Sequence, residues 1–211
     1  MRRPSPRSLK RLVFLLCLVP LPLLVLQFAT HRLGANPIEA FTRGLGEWAL
    51  RFLLLSLCVT PLKSVLPLVA GWRRMLGLYA FFYACLHMLS YLGLDQAFDA
   101  ADILADILKR KYMTVGMVAL LLLVPLAVTS TKAMIKRLGA VRWRQLHRLT
   151  YLAAILAVLH FYLLVKADVR EPLLHALILA VLLGWRLVRA WAPTLTGTPA
   201  PPPYGSPPGA P

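Results

Sequence analysis

Acid is scarce in this chain. Only 8 of its 211 residues are Asp or Glu, against 24 Lys and Arg, which gives a formal net charge of +16. Cysteine is scarcer still: Cys17, Cys58 and Cys85 each sit in a different apolar run and none forms a Cys-x-x-Cys pair. That spacing argues against a redox dithiol or a thiolate metal site and reads as small buried hydrophobes. No Gly-rich nucleotide-binding fingerprint follows a strand-like run, so these residues do not make a complete NAD(P)H-driven oxidase or reductase. Nothing alternates with the period of a strand, and the expected fold class is all-α.

What is abundant is apolar length. The composition is 59% hydrophobic, too apolar for an ordinary soluble domain. A spanning helix takes about 20 predominantly apolar residues. Six stretches qualify: 12–28, 49–66, 75–94, 113–130, 149–165 and 172–191. The sequence therefore predicts a polytopic membrane protein, with a basic N-terminus at 1–11, a bundle of about six transmembrane helices at 12–191, and a disordered Pro/Gly-rich tail at 192–211. The first stretch has a basic start and an apolar core that would suit a signal peptide. It lacks an Ala-x-Ala-like cleavage site and is long for one, so it is expected to stay as the first helix.

The basic residues alternate along the chain. Taken by alternate connecting segments, sixteen Lys and Arg fall on one side of the membrane and seven on the other, with Arg51 inside a helix. The positive-inside rule then puts both termini in the cytoplasm of a bacterial inner-membrane protein. All eight acids, Glu39, Glu47, Asp95, Asp99, Asp102, Asp106, Asp168 and Glu171, fall on the opposite side or at a helix end there. The excess of base reads as topology and attraction to lipid, not as a nucleic-acid site. Asp99, Asp102 and Asp106 share a face if their loop is helical, either as a solvated face or as a docking surface for a soluble partner.

Topology turns histidine positions into depths. At about 1.5 Å per residue, His87 and His160 both lie about 18 Å from the cytoplasmic end of their helices. Intramembrane ionisable residues are costly and tend to be functional. Two histidines at one level on separate helices suit bis-imidazole ligation of one haem iron. Tyr83 and Tyr91, four residues either side of His87, share its face and are read either as hydrogen-bonding partners of such a group or as packing residues. His147 stands at the cytoplasmic mouth of the fifth helix. Its 13-residue separation from His160 leaves the two about 140° apart on an ideal helix, so either a kink intervenes or His147 lies outside the helix. His31 is read as a solvated loop residue, and for His175, near the start of the sixth helix, a spare-ligand role is the lesser reading.

Between 36 and 165 the chain resembles a known family. The resemblance rests on Asn36-Pro37-Ile38-Glu39, Trp48-Ala49-Leu50-Arg51, Thr60-Pro61-Leu62, Arg73-Arg74-Met75-Leu76-Gly77 and His87 with Tyr91. It continues through Thr114-Val115-Gly116, Leu138-Gly139 with Trp143, Leu146-His147-Arg148-Leu149-Tyr151 and His160. These are similar to the haem-binding membrane subunits of bacterial MsrPQ methionine sulfoxide reductase systems, in the ferric reductase-like transmembrane group. The resemblance implies an electron-transfer subunit that is not an enzyme by itself. It implies haem b, one or two per chain, and FMN. Electrons would come from the quinone pool or a cytoplasmic flavin reductase and go to a periplasmic molybdopterin-containing enzyme, MsrP. The alternative within the group is a haem component of a ferric reductase or oxidase with a separate flavin reductase. The family's ligands carry over to His87 and His160, and to His147 for a second or inner site. Arg74 stands where the wider group has a second histidine on that helix; Arg74 and Arg51 become candidates for propionate or phosphate contacts.

Overall fold

The computed structural model describes residues 6–195, all of whose regular structure is helical. The helices are α1 (Pro6–Leu18), α2 (Pro20–Ala29), α3 (Pro37–Leu62), α4 (Arg73–Ser90), α5 (Ala100–Lys109), α6 (Lys111–Val128), α7 (Lys132–Leu146), α8 (Leu149–Leu164) and α9 (Arg170–Leu195). The tail expected to be disordered lies outside the described residues from 196 onward, and α9 itself continues past Trp191 to Leu195. At the other terminus α1 begins at Pro6, so Arg7, Lys10 and Arg11 ride on the first helix.

Five stretches are long and apolar enough to cross a membrane: Ser8–Ala29, Pro37–Leu62, Arg73–Asp95, Lys111–Val128 and Arg170–Trp191. A sixth forms if α7 and α8, bent by 45° at their junction, count as one. The chain is a multi-pass membrane protein. The bundle has an acidic end, where α3, α6 and α9 begin and α4 and α8 finish, and a basic end without a single carboxylate among the described residues. α7, with Lys132, Lys136, Arg137, Arg142 and Arg144, lies at the basic end and buries no residue.

The second span starts twelve residues before the apolar stretch at 49–66, at Pro37. The apolar window misses it because the first turns carry charge. A cap and i,i+4 pairs make those turns helical anyway. Asn36 accepts a bond from the Glu39 N–H at 3.4 Å, Pro37 fills the first position, and Arg43–Glu39 (2.9 Å) and Arg51–Glu47 (2.8 Å) pair along the helix. Arg51 therefore sits mid-helix rather than one turn from its end.

Helix-breaking residues are answered from neighbouring helices. Pro20 and Pro22 have no N–H for the Leu16 and Leu18 carbonyls; the Val19 N–H turns to Leu16 at 3.2 Å, and the buried Tyr83 hydroxyl reaches the Leu18 carbonyl at 3.5 Å beside its shorter bond to Cys17 at 3.0 Å. Tyr79 donates to the Phe14 carbonyl at 2.8 Å. Pro61, inside α3, has no N–H for the Leu57 carbonyl. The Arg186 guanidinium of α9 supplies a donor to that carbonyl, with a second bond to Leu182 at 2.6 Å and its carbon 5.6 Å from the Tyr151 ring centre. A cation at this helix C-terminus also meets the negative end of the α3 dipole. All three cysteines are free thiols, with Cys17 buried.

The most extensive helix pairings are α3 on α4 and α6 on α8. The two pairs come together with α9 alongside, and a cavity opens between them.

Candidate functional site

A cavity of about 1150 Å³ runs between α3, α4, α6 and α8. His87 and His160 line it from opposite pairs, their ring centres 6.1 Å apart and their planes at 75°. Each ring is fixed in the same way. His87 Nδ1 is 2.8 Å from the Thr42 carbonyl on α3, and His160 Nδ1 is 2.7 Å from the Tyr112 carbonyl on α6. With a carbonyl as the only possible partner, Nδ1 must carry the hydrogen. Both Nε2 atoms are left as lone-pair donors.

The approach is close enough to need glycine. Four residues after Thr42 comes Gly46, where a Cβ would lie 3.0 Å from His87 Nδ1. Four residues after Tyr112 comes Gly116, where a Cβ would lie 2.6 Å from His160 Nδ1. Each helix pair thus carries one histidine lying in the glycine notch of its neighbour. One turn toward the basic end from these four positions stand Ala49, Ala84, Ala119 and Ala157, all lining the cavity. Small side chains there leave room for a flat group at the histidine level. Leu50, Leu53, Leu120 and Leu123 close the floor, and the polar lining residues gather at the acidic end.

The remaining expected residues go elsewhere. His147 caps α7 at the basic end, stacked on Trp143 at 3.9 Å with Nε2 3.2 Å from Thr129 Oγ1. It stands outside α8, which accounts for its angular mismatch with His160. Partial burial and the Arg73 guanidinium hold its imidazole below the ordinary histidine range. Arg74 is exposed at the start of α4, and Arg51 pairs with Glu47 and lies over Trp48 at 5.0 Å; neither lines the cavity. Tyr91 lines it, but its hydroxyl donates to Asp106 at 3.3 Å. His175 is buried with Nδ1 2.8 Å from the Glu171 carbonyl of its own helix. Among the described residues no three His, Cys, Asp or Glu side chains cluster as a metal site. Of the acids on α5, Asp99 is its N-cap, accepting from Ala101 N at 2.8 Å and Asp102 N at 3.1 Å, while Asp106 pairs with Arg110 at 3.0 Å.

The two histidines were legible from depth. Gly46, Gly116 and the carbonyls of Thr42 and Tyr112 were missed. The signal that could have found them is a glycine at histidine depth on each adjacent helix.

Residues 45–158, which hold both glycine notches and His87 and end two residues before His160, match the family described as ferric reductase like transmembrane component. The chain belongs to this family. Relatives of this ferric reductase-like chain are named protein-methionine-sulfoxide reductase heme-binding subunit MsrQ. One, from Rhodospirillum rubrum, is 61% identical over 184 residues, covering 84% of this chain and 86% of the relative. Another, from Azospira oryzae, is 50% identical over 200 residues, covering 88% and 82%. A third, from Caulobacter vibrioides, is 47% identical over 178 residues, covering 83% and 85%.

The cavity fits the group those names imply. Two imidazoles on separate helices, each with Nδ1 engaged and Nε2 free, would hold a haem iron between them. Their ring centres stand 6.1 Å apart beside the alanine-walled space that would receive the macrocycle.

Proposed function

We propose that this chain is a haem-carrying electron-transfer subunit of a methionine sulfoxide reductase system, with one haem b held by His87 and His160. The observation that carries the reading is the pair of opposed imidazoles at 6.1 Å, each with Nδ1 donating to a helix carbonyl. Held there, the haem would supply one-electron redox chemistry. The protein supplies the rest. The Thr42 and Tyr112 carbonyls fix the tautomer and raise the basicity of each ligand, which favours the ferric state and a lower potential. The leucine floor and alanine walls exclude water.

By the positive-inside rule the acidic end faces the periplasm and both termini the cytoplasm of a bacterial inner membrane. Electrons enter at the basic end from the quinone pool or a cytoplasmic flavin reductase. They leave toward a periplasmic molybdopterin-containing MsrP. FMN is expected as a further cofactor on the strength of the family resemblance. The alternative, favoured by the description of the matched family, is a ferric reductase-like component served by a separate flavin reductase. It has the same haem and a different acceptor.

The test is a dithionite-reduced minus oxidised spectrum of the purified protein, with haem quantified per chain, for the parent and for His87→Ala and His160→Ala. Each variant should lose the low-spin b-type signature while remaining inserted. Full haem in both variants would overturn the assignment. Reoxidation by MsrP against reoxidation by a ferric chelate separates the two acceptors.

A further inference from the structure

The cavity is polarised along the membrane normal. Its floor, toward the basic end, is Leu50, Leu53, Leu120 and Leu123 with the four alanines above. Its cationic lining residues, Arg43, Arg110 and Lys166, all stand at the acidic-end mouth, on or beside three different helices. Arg43 is three residues beyond Gly46 and Arg110 six beyond Gly116, which at the helical rise is about 4.5 and about 9 Å past the histidine level. Lys166 follows α8 at a similar reach past His160.

Two of these features are unfinished. Arg43 Nε and Thr42 Oγ1, neighbours in sequence and both on residues lining the cavity, are buried without a hydrogen-bond partner among the described residues. Lys166, exposed at the same mouth, makes no ion pair or hydrogen bond among the described residues. Buried polar atoms such as Arg43 Nε and Thr42 Oγ1 are costly to leave without a partner and normally have one. Carboxylates are near, but most are already engaged. Glu39 takes the Arg43 Nη2 and Asn36, Glu47 takes Arg51, Asp168 takes Arg170, and Asp95 takes Gln96; Glu171 also lines the mouth.

A haem is itself polarised, with an apolar macrocycle and two carboxylates on one edge. We propose that Arg43, with Thr42 beside it, and Lys166 bind the two propionates, fixing the macrocycle with its carboxylate edge toward the acidic end. The inference rests on the haem reading above. The opposite orientation would bury two carboxylates against leucine and alanine, and ions so placed are strongly disfavoured. At that mouth Arg110 has its Nε engaged by Asp106 (3.0 Å) and its Nη1 by the Tyr112 hydroxyl (3.0 Å), whereas Arg43 meets Glu39 through Nη2 (2.9 Å) and keeps Nε, so Arg110 supports the rim without taking a propionate.

The experiment measures haem transfer from the purified holoprotein to excess apomyoglobin, alongside redox-difference infrared spectra with haem labelled with carbon-13 at the propionate carboxylates. Arg43→Leu and Lys166→Leu should each release haem about tenfold faster, the equivalent of about 1.4 kcal/mol, and shift one labelled carboxylate band. Arg43→Lys should restore most of the retention, and Lys109→Leu, exposed at the same end and outside the cavity lining, should match the parent. Unchanged release rates together with unmoved carboxylate bands would overturn the propionate assignment while the low-spin spectrum persisted. Absence of that low-spin spectrum from the parent protein would instead overturn the haem reading. If a leucine variant fails to insert, the labelled bands of the parent decide. Carboxylates that are ionised and hydrogen-bonded support the proposal, and bands of protonated or free carboxyls reject it.

Discussion

Gly116 and His160 are packed so closely that one methyl group would not fit between them: a Cβ at 116 would sit 2.6 Å from Nδ1 and 2.8 Å from Cε1 of the imidazole. The ring is held against the backbone of α6 by its bond to Tyr112, so it has no free direction in which to yield. Gly46 and His87 repeat the arrangement at 3.0 Å. The consequence is a graded series. Gly116→Ala should displace the His160 ring and cost about 1–3 kcal/mol, as overpacking does, with haem occupancy at limiting haem falling several-fold. Gly46→Ala should do less. Gly77→Ala, where a Cβ meets nothing within 4 Å, should leave the spectrum unchanged. Haem per chain and the low-spin band, measured across the three variants, check the order.

His147 should prove dispensable for the haem. Its Nε2 is engaged with Thr129 and its face with Trp143, so His147→Ala should keep the parent stoichiometry and spectrum. A fall from two haems to one would show a second site at the basic end. The same residue contributes to acid sensitivity. Its folded pKa is depressed by burial and Arg73, so its stabilising contribution is present above the ordinary value of about 6.5 and lost as pH falls toward the depressed folded value. Unfolding followed from about pH 7 to about pH 5 should show a shallower acid loss in His147→Gln than in the parent.

Arg186 and Pro61 should be energetically coupled. Arg186→Leu leaves the Leu57 carbonyl without a donor and should cost about 1.5–3 kcal/mol, the range for bonds to a charged group. Pro61→Ala returns an N–H to that carbonyl. In its background the Arg186→Leu penalty should shrink, as a double-mutant cycle by thermal unfolding in detergent would reveal. Equal penalties in both backgrounds would refute the coupling.

The acids of α5 are not equivalent. Asp99→Ala removes the N-cap and should cost about 1 kcal/mol of local helix stability, visible as faster amide exchange in 100–104. Asp102, exposed and free of side-chain bonds among the described residues, is the acid left to act at a docking surface. Asp102→Asn should lower the low-salt rate of reoxidation by MsrP and flatten its salt dependence without altering the spectrum.

Orientation is tested directly by reporter fusions. A reporter active only in the periplasm should report when placed in the turn at 96–98 and stay silent after residue 197. The reverse pattern would invert the acidic and basic ends.

Apolar length and charge alternation in the sequence alone determined the all-α class, the number of spans and the shared depth of His87 and His160. Those properties are one-dimensional: a helix converts residue count to depth at a fixed rise. The sequence could not say how the second span begins, because capping by Asn36 and pairing of Glu39 with Arg43 outweigh the low hydropathy of that segment. Nor could it say where a side chain points once a helix stops. The break at His147 and Arg148 turns that imidazole toward Thr129 and Trp143, away from the cavity. Tyr83 is one turn from His87 by count, yet its hydroxyl goes to the Cys17 carbonyl of another helix. The cavity itself is a product of packing. Gly46 with His87, and Gly116 with His160, meet only because α3 lies on α4 and α6 on α8, and the 6.1 Å between the rings is set by how closely those two pairs approach.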